Sequence, residues 1–295
     1  MTNRFDLGAV RRAFARAAPH YTRFATLQRE VESRLLEQLD AEPAEFAPRV
    51  VLDVGAGPGR ATMGLRKRYP RALSVALDHA LPMLTTARKG ARWWRPLRLL
   101  AGDAAALPLR EGSVDLLFSN LCLQWQTDLP QVFDEWRRVV RAGGVVLATT
   151  FGRDTLIELR DAFASADAGA AHINAFDDIA RIGDALLAAG FRNPVLEREA
   201  FVLDYADVPT LMRELRGLGA GNALTARRRA LTGKARMQQV FAAYESLRRD
   251  GTLPATWEVI TLRALAPDAG TPRREAGGVV ASVPLDRIPI RRRGM

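Results

Sequence analysis

Hydrophobic positions change their period along this chain, and each change marks an element. Over residues 5–39 apolar side chains recur every three or four places, at Phe14, Tyr21, Phe24, Leu27, Val31, Leu35 and Leu39, which predicts a helical arm interrupted at Pro19. From residue 49 to 150 short apolar runs of strand length alternate with helical stretches. Strands are expected from residue 50 and over 72–77, 97–101, 114–119 and 145–150, with helices over 80–89 and 129–141 and the Arg-Ala-Gly-Gly stretch at 141–144 turning out of the last helix. This alternation predicts a parallel sheet. Beyond residue 151 helical patterns dominate, at 154–163, 176–189, 208–216 and 234–249, while 193–200 and 256–264 read as strands that bring the sheet to seven. The expected organisation is an arm over 1–48 and an α/β domain over 49–267. Helical cap insertions fall at about 151–175 and 205–233, and a basic tail over 268–295 reads as disordered.

The candidate chemistry lies where the strands end. The first strand stops at Asp53 and breaks into glycines at Gly55, Gly57 and Gly59, a turn whose backbone can press against a ligand. A dinucleotide fingerprint G-x-G-x-x-G would need glycine or alanine at position 60, which is Arg60. The second strand ends at Asp78, next to His79, the third runs into Gly102-Asp103-Ala104, and the fourth opens into Asn120-Leu121-Cys122-Leu123-Gln124-Trp125. Each aspartate alone is an ordinary turn or cap residue. Three of them at successive strand ends describe a cofactor cleft along the C-terminal edge of a sheet.

The D-x-G-x-G-x-G spacing resembles motif I of class I methyltransferases that use S-adenosylmethionine. That resemblance implies a Rossmann-like, seven-stranded fold. It also implies Asp78 with its neighbour His79 at the ribose hydroxyls, Asp103 and Ala104 at the adenine, and Asn120 and Leu121 beside the methionine part.

Composition then narrows the classes. A hydrophobic fraction of 48% over 295 residues suffices for a packed core. No apolar run is long enough for a membrane span and the first residues lack a signal-peptide pattern, so a cytoplasmic protein is expected. One cysteine, Cys122, and three histidines without ligand spacing argue against a disulfide or a metal site. The net charge of +10 favours an acidic partner, and dispersed arginines without stacking aromatics disfavour nucleic acid.

A wider resemblance is carried by the arm Arg12-Ala13-Phe14-Ala15-Arg16-Ala17-Ala18-Pro19-His20-Tyr21, by Leu27-Gln28, by 119–125 with Asp128-Leu129-Pro130, by 150–156, and by 211–220. Over residues 10 to about 265 the chain is similar to the malonyl-[acyl-carrier protein] O-methyltransferase family of biotin synthesis. The resemblance implies methyl transfer to the free carboxylate of malonyl on an acidic acyl carrier protein, with Tyr21 positioning that carboxylate. Arg153, just past the fifth strand, offers a fork for the same group, and Trp125 and Phe151 are expected to wall the substrate pocket. Three other readings stay open, one of them a basic nucleic-acid-binding module that retains the cofactor pocket, which the want of stacking aromatics disfavours. The stretch Phe151-Gly152-Arg153-Asp154-Thr155-Leu156 also resembles assembly factors of respiratory complex I that hydroxylate an arginine, and a small-molecule methyltransferase would share the same core.

Overall fold

The computed structural model describes residues 5–91, 94, 96–167, 172–227 and 232–268, together with the backbone of 273–275 and 278–280. The arm consists of α1 (Leu7–Ala17), α2 (Tyr21–Phe24) and α3 (Thr26–Glu37). Then follow β1 (Val50–Val54), α4 (Arg60–Arg68), β2 (Leu73–Asp78), α5 (Leu81–Gly90), β3 (Arg98–Ala101), β4 (Val114–Ser119), α6 (Leu129–Val139) and β5 (Val140–Phe151). The second half holds α7 (Ile157–Ala166), α8 (Ile179–Ala188), β6 (Arg192–Tyr205), α9 (Val208–Gly217), α10 (Lys234–Glu245) and β7 (Leu253–Leu265). No helix among the described residues is long and apolar enough to cross a membrane.

These strands form one seven-stranded sheet in the order β3-β2-β1-β4-β5-β7-β6. β1 to β5 pair in parallel, as alternation predicts, whereas β7 runs antiparallel to both β5 and β6. β7 follows α10 into the sheet from the C-terminal edge of the parallel strands, so it must run back down beside β5. Side chains alternate across the strands. Val51, Leu116, Phe118, Val145 and Leu147 meet α3, the 3-10 turn that follows it (Gln38–Ala41) and α4 on one face through Leu35, Leu39, Ala61 and Leu65. Leu52, Val54, Leu117, Val146 and Ala148 meet α6 and α8 on the other through Phe133, Trp136, Ile182 and Leu186. Helix α3 is therefore part of the core as well as part of the arm.

Several boundaries differ from the periodicity. α6 stops at Val139 and β5 begins at Val140, so residues 141–144 extend the strand instead of ending the helix. Gly143 (φ 68) donates to Ala266 O at 3.1 Å and Gly144 O accepts from Ala266 N at 2.8 Å, bonds to the end of β7 that local sequence does not announce. β6 and β7 each outrun their expected strands because they zip together from Arg192↔Leu265 to Tyr205↔Leu253. α7 starts at Ile157 and not at 154, since 152–155 are held by the neighbouring strand β7. α8 (Ile179–Ala188) is shorter than its pattern, with Asp178 capping Arg181 N, and α10 ends at Glu245, short of 249. In the expected tail, Arg273–Glu275 pairs antiparallel with Gly278–Val280; the rest of 269–295 lies outside the described residues.

Candidate functional site

Sheet register lays out the three aspartates. Asp53 pairs with Ala76 on β2, two places before Asp78, and Asp78 pairs with Ala101 on β3, two places before Asp103. The carboxylates thus step along the C-terminal edge, one strand and two residues at a time, with strands about 4.8 Å apart. Asp78 is buried and its two oxygens accept from Gly57 N (2.9 Å) and Ala80 N (2.8 Å), which leaves lone pairs on both for a diol. Burial raises its pKa, against the pull of those two amides. Asp103 accepts from Ala105 N at 3.0 Å, and Ala104 O accepts the Trp136 indole N–H at 3.2 Å.

The glycine turn needs its glycines for different reasons. At Gly55 (φ +74) a Cβ would lie 2.6 Å from both Cβ and Sγ of Cys122, whereas at Gly57 (φ +54) it would point into open space. The first glycine admits the loop after β4; the second leaves a cradle for a ligand.

That cradle is roofed by the arm. An open cavity of about 500 Å³ runs between α3, α2 and the glycine turn, bounded by Gln28, Arg29 and Glu32 on one side and by Asp53, Gly57 and Arg60 on the other. Asn120 also reaches it, and ties its walls together: its Nδ2 donates to Gln28 O (3.1 Å) and its Oδ1 accepts from Thr149 Oγ1 (2.8 Å). Leu121, in the left-handed region at φ 51, donates its N–H to Thr149 O at 3.1 Å. Such strain in a non-glycine residue is held by its surroundings and is common beside functional sites.

Two carboxylates in this cavity are buried with little cationic support. Burial carries Asp53 up to about 7, against a 2.5 Å hydrogen bond from Thr62 Oγ1, and carries Glu32 up to about 7, against Arg60 Nη1 at 2.8 Å. Tyr21 lines the same cavity and packs against Phe14, Ala80 and Met83. Burial, with the charges of Asp78 and Glu32, raises its pKa, so the phenol stays protonated and remains a donor. Cys122, pushed up to about 12 by burial, is a packing thiol.

The other expected site residues lie around this centre. His79 meets Phe14 edge-on at 6.5 Å. Trp125 is buried under the arm, 5.9 Å from Phe5 and 5.3 Å from Phe14 between ring centres, and does not line the cofactor cavity. Phe151 packs at a tilt against Phe176 and Trp257. Arg153 lines a separate open cavity with Asp178, Arg198 and Glu258, and its side chain is 66% exposed. Of the two residues expected to hold a carboxylate, the structure brings only Tyr21 to the cofactor cavity. Arg29, Glu32, Arg60 and Thr62 were not singled out for chemistry. For Arg29 and Glu32 the signal is a polar stripe at 28, 29 and 32 beside the apolar stripe of Leu27, Val31 and Leu35.

These residues suit S-adenosylmethionine. Its ammonium needs buried acceptors, and Gln28 Oε1 is a buried acceptor without a donor among the described residues. Its ribose diol suits Asp78, and its bulk needs the bare Cα of Gly57.

A methyltransferase domain model matches residues 52–148. The chain is 53% identical over 294 residues to a Xylella fastidiosa protein described as malonyl-[acyl-carrier protein] O-methyltransferase, covering 99% of each. It is 44% identical over 278 residues to a Nitrosospira multiformis protein of the same description, covering 89% of this chain and 90% of that one. Among solved structures it is similar to the YcgJ protein of Bacillus subtilis, with a TM-score of 0.57 at 14% identity, covering 81% of this chain and 99% of that one. Haemonchus contortus phosphoethanolamine N-methyltransferase 2 in complex with S-adenosyl-L-methionine gives a TM-score of 0.52 at 17% identity, over 80% of this chain and 53% of that one. At these identities the two structures bear on the fold alone.

Proposed function

The chain belongs to the malonyl-[acyl-carrier protein] O-methyltransferase family, and on that premise we propose that it methylates the free carboxylate of malonyl-acyl carrier protein, giving the methyl ester that starts a pimeloyl chain for biotin. The observation that carries this reading is 53% identity across 99% of the chain, which takes in the arm as well as the cofactor core. With it goes the cytoplasmic setting expected from the sequence.

S-adenosylmethionine, when bound, supplies a methyl carbon attached to a cationic sulfur. The malonyl carboxylate is already ionised at neutral pH, so its oxygen attacks without a general base. The residues must therefore align the two groups and exclude water, and such positioning is worth up to roughly 7–11 kcal/mol. The Tyr21 phenol, kept protonated, donates to one carboxylate oxygen and leaves the other free to attack. We assign Asp78 and His79 to the ribose, Asp103 and Ala104 to the adenine side, and Asn120 and Leu121 to the methionine side. Asp53 faces the methionine side through the cavity that it lines with Gly55, Gly57 and the turn closed by Gly59. Trp125 and Phe151 support the cover, formed by the arm over 1–48 and the insertions at 151–175 and 205–233. Arg153, on its own cavity, is assigned to the rim.

The carrier is expected to be acidic. Arg11, Arg12 and Arg16 on α1, Arg23 on α2, and Arg213 and Arg216 on α9 are exposed, which makes the helices of the cover basic. The cover packs tightly, since a Cβ on Gly217 would strike Phe24 and one on Gly219, just past α9, would crowd the backbone of Ala13 and Phe14 at 3.1–3.2 Å.

Incubation with S-adenosylmethionine and either malonyl-acyl carrier protein or the bare carrier tests the reading by intact-mass spectrometry. A gain of one CH2 on the malonyl form alone is expected; no gain on either carrier sinks it.

A further inference from the structure

We propose that helix α3 of the arm recognises the amino-acid end of the cofactor, Glu32 and Gln28 Oε1 taking its α-ammonium and Arg29 its α-carboxylate. The inference rests on S-adenosylmethionine as the methyl donor and names residues of the arm, outside the glycine motif, as the ones that read it.

Position on the helix is the first ground. Gln28 and Glu32 are four apart and Arg29 and Glu32 three apart, so all three share one face, and that face borders the cavity. The adjacent stripe carries Leu27, Val31 and Leu35 into apolar clusters, which fixes the rotation of α3 about its axis. The bond from Asn120 Nδ2 to Gln28 O pins its backbone to the end of β4.

Charge is the second ground. Glu32 has one cation, Arg60, on one of its oxygens at 2.8 Å, with its side chain only 11% exposed. Across the cavity Asp53 has the Thr62 hydroxyl as partner and no ion pair among the described residues. Gln28 Oε1 adds a buried acceptor lacking a donor. This wall is short of hydrogen-bond donors and of positive charge, as an ammonium with three N–H groups would require. Arg29 has the converse shortage. Its guanidinium donates to two neutral oxygens, Thr22 O at 2.6 Å and Thr26 Oγ1 at 3.2 Å, and makes no ion pair among the described residues. One face of one helix thus offers unmatched acceptors beside an unmatched cation, the complement of a zwitterion. A methyl donor or product carrying both charges holds α3, and through it α2 with Tyr21, over the cavity; a nucleoside lacking them leaves the arm without that hold.

Titration calorimetry with S-adenosylhomocysteine and with 5′-methylthioadenosine separates the two ends, because the second ligand keeps the adenosine and lacks the amino acid. The unaltered chain is expected to favour S-adenosylhomocysteine by about tenfold or more, in line with charge-assisted bonds. Glu32→Gln and Arg29→Met should each lose most of that preference while binding 5′-methylthioadenosine within about twofold of the parent. The proposal is overturned if both variants keep the full preference, or if they lose both ligands in equal measure, which would mean general damage to the arm. Failure of the unaltered chain to bind either ligand would instead sink the cofactor reading on which the proposal stands.

Discussion

Glycines 55 and 57 have the same backbone requirement and opposite surroundings, so one substitution separates stability from binding. Gly55→Ala sets a Cβ against Cys122 at 2.6 Å with φ positive, and is expected to cost about 2–4 kcal/mol of stability, read as a lowered Tm. Gly57→Ala meets nothing within 4 Å, so it should cost about 1 kcal/mol in backbone strain yet weaken S-adenosylhomocysteine binding markedly, because its methyl occupies the cradle. At the chemical step, Tyr21→Phe is expected to lower kcat about 10- to 100-fold with unchanged S-adenosylhomocysteine affinity, whereas Arg153→Ala should stay within about twofold. The reverse ranking in steady-state kinetics would move the carboxylate site to the Arg153 cavity. Asp53 has a folded pKa of about 7 against an ordinary 3.8, so the folded chain holds more protons than the unfolded one between those values. Its contribution is present below about pH 4 and is lost as pH rises through about 7. Without ligand, denaturant unfolding at about pH 5 and about pH 8 should therefore show stability falling with pH, and Asp53→Asn should reduce the fall.

At the scale of elements, boundaries follow tertiary bonds more closely than periodicity. The turn at 152–155 is organised by the buried Glu258 of β7, whose Oε2 accepts from Asp154 N at 2.9 Å, while Thr155 Oγ1 donates to Glu258 O at 3.0 Å and accepts from its N–H at 3.1 Å. A side chain at Gly152 would collide with that carboxylate. The Gly-Arg-Asp-Thr run, which in the sequence looks like chemistry, anchors α7 beside the sheet. Glu258→Ala leaves the Asp154 amide without its acceptor and is expected to cost about 1–3 kcal/mol and to speed hydrogen exchange at 152–158. Exchange confined to the chain termini would contradict this. The arm shows the same dependence, since Leu35 and Leu39 join the core cluster of β1 and β4 while the polar face of α3 turns to the cofactor cavity.

For the whole molecule, the net charge of +10 matters through where it lies. Arg12 and Arg16 are exposed on α1. Reversing both, Arg12→Glu with Arg16→Glu, is expected to raise KM for malonyl-acyl carrier protein several-fold with little change in kcat, and to flatten the rise of KM with added salt. Kinetics at two ionic strengths test this, and an unchanged salt dependence would place the carrier elsewhere.

By itself the sequence determined the alternation of β1 to β5 with their helices, the glycine turn, and the three strand-end aspartates. These are local: strand period, a buried apolar run and the conformational freedom of glycine all act within a few residues. Only the tertiary structure decided that β7 runs antiparallel and that residues 141–144 join a strand. It also decided that Arg153 and Tyr21 border different cavities, and that Gln28, Arg29 and Glu32 face Asp53. Each of those depends on segments far apart in the chain being pressed together by burial, and which groups meet across that contact is set by how the core packs rather than by their neighbours in sequence.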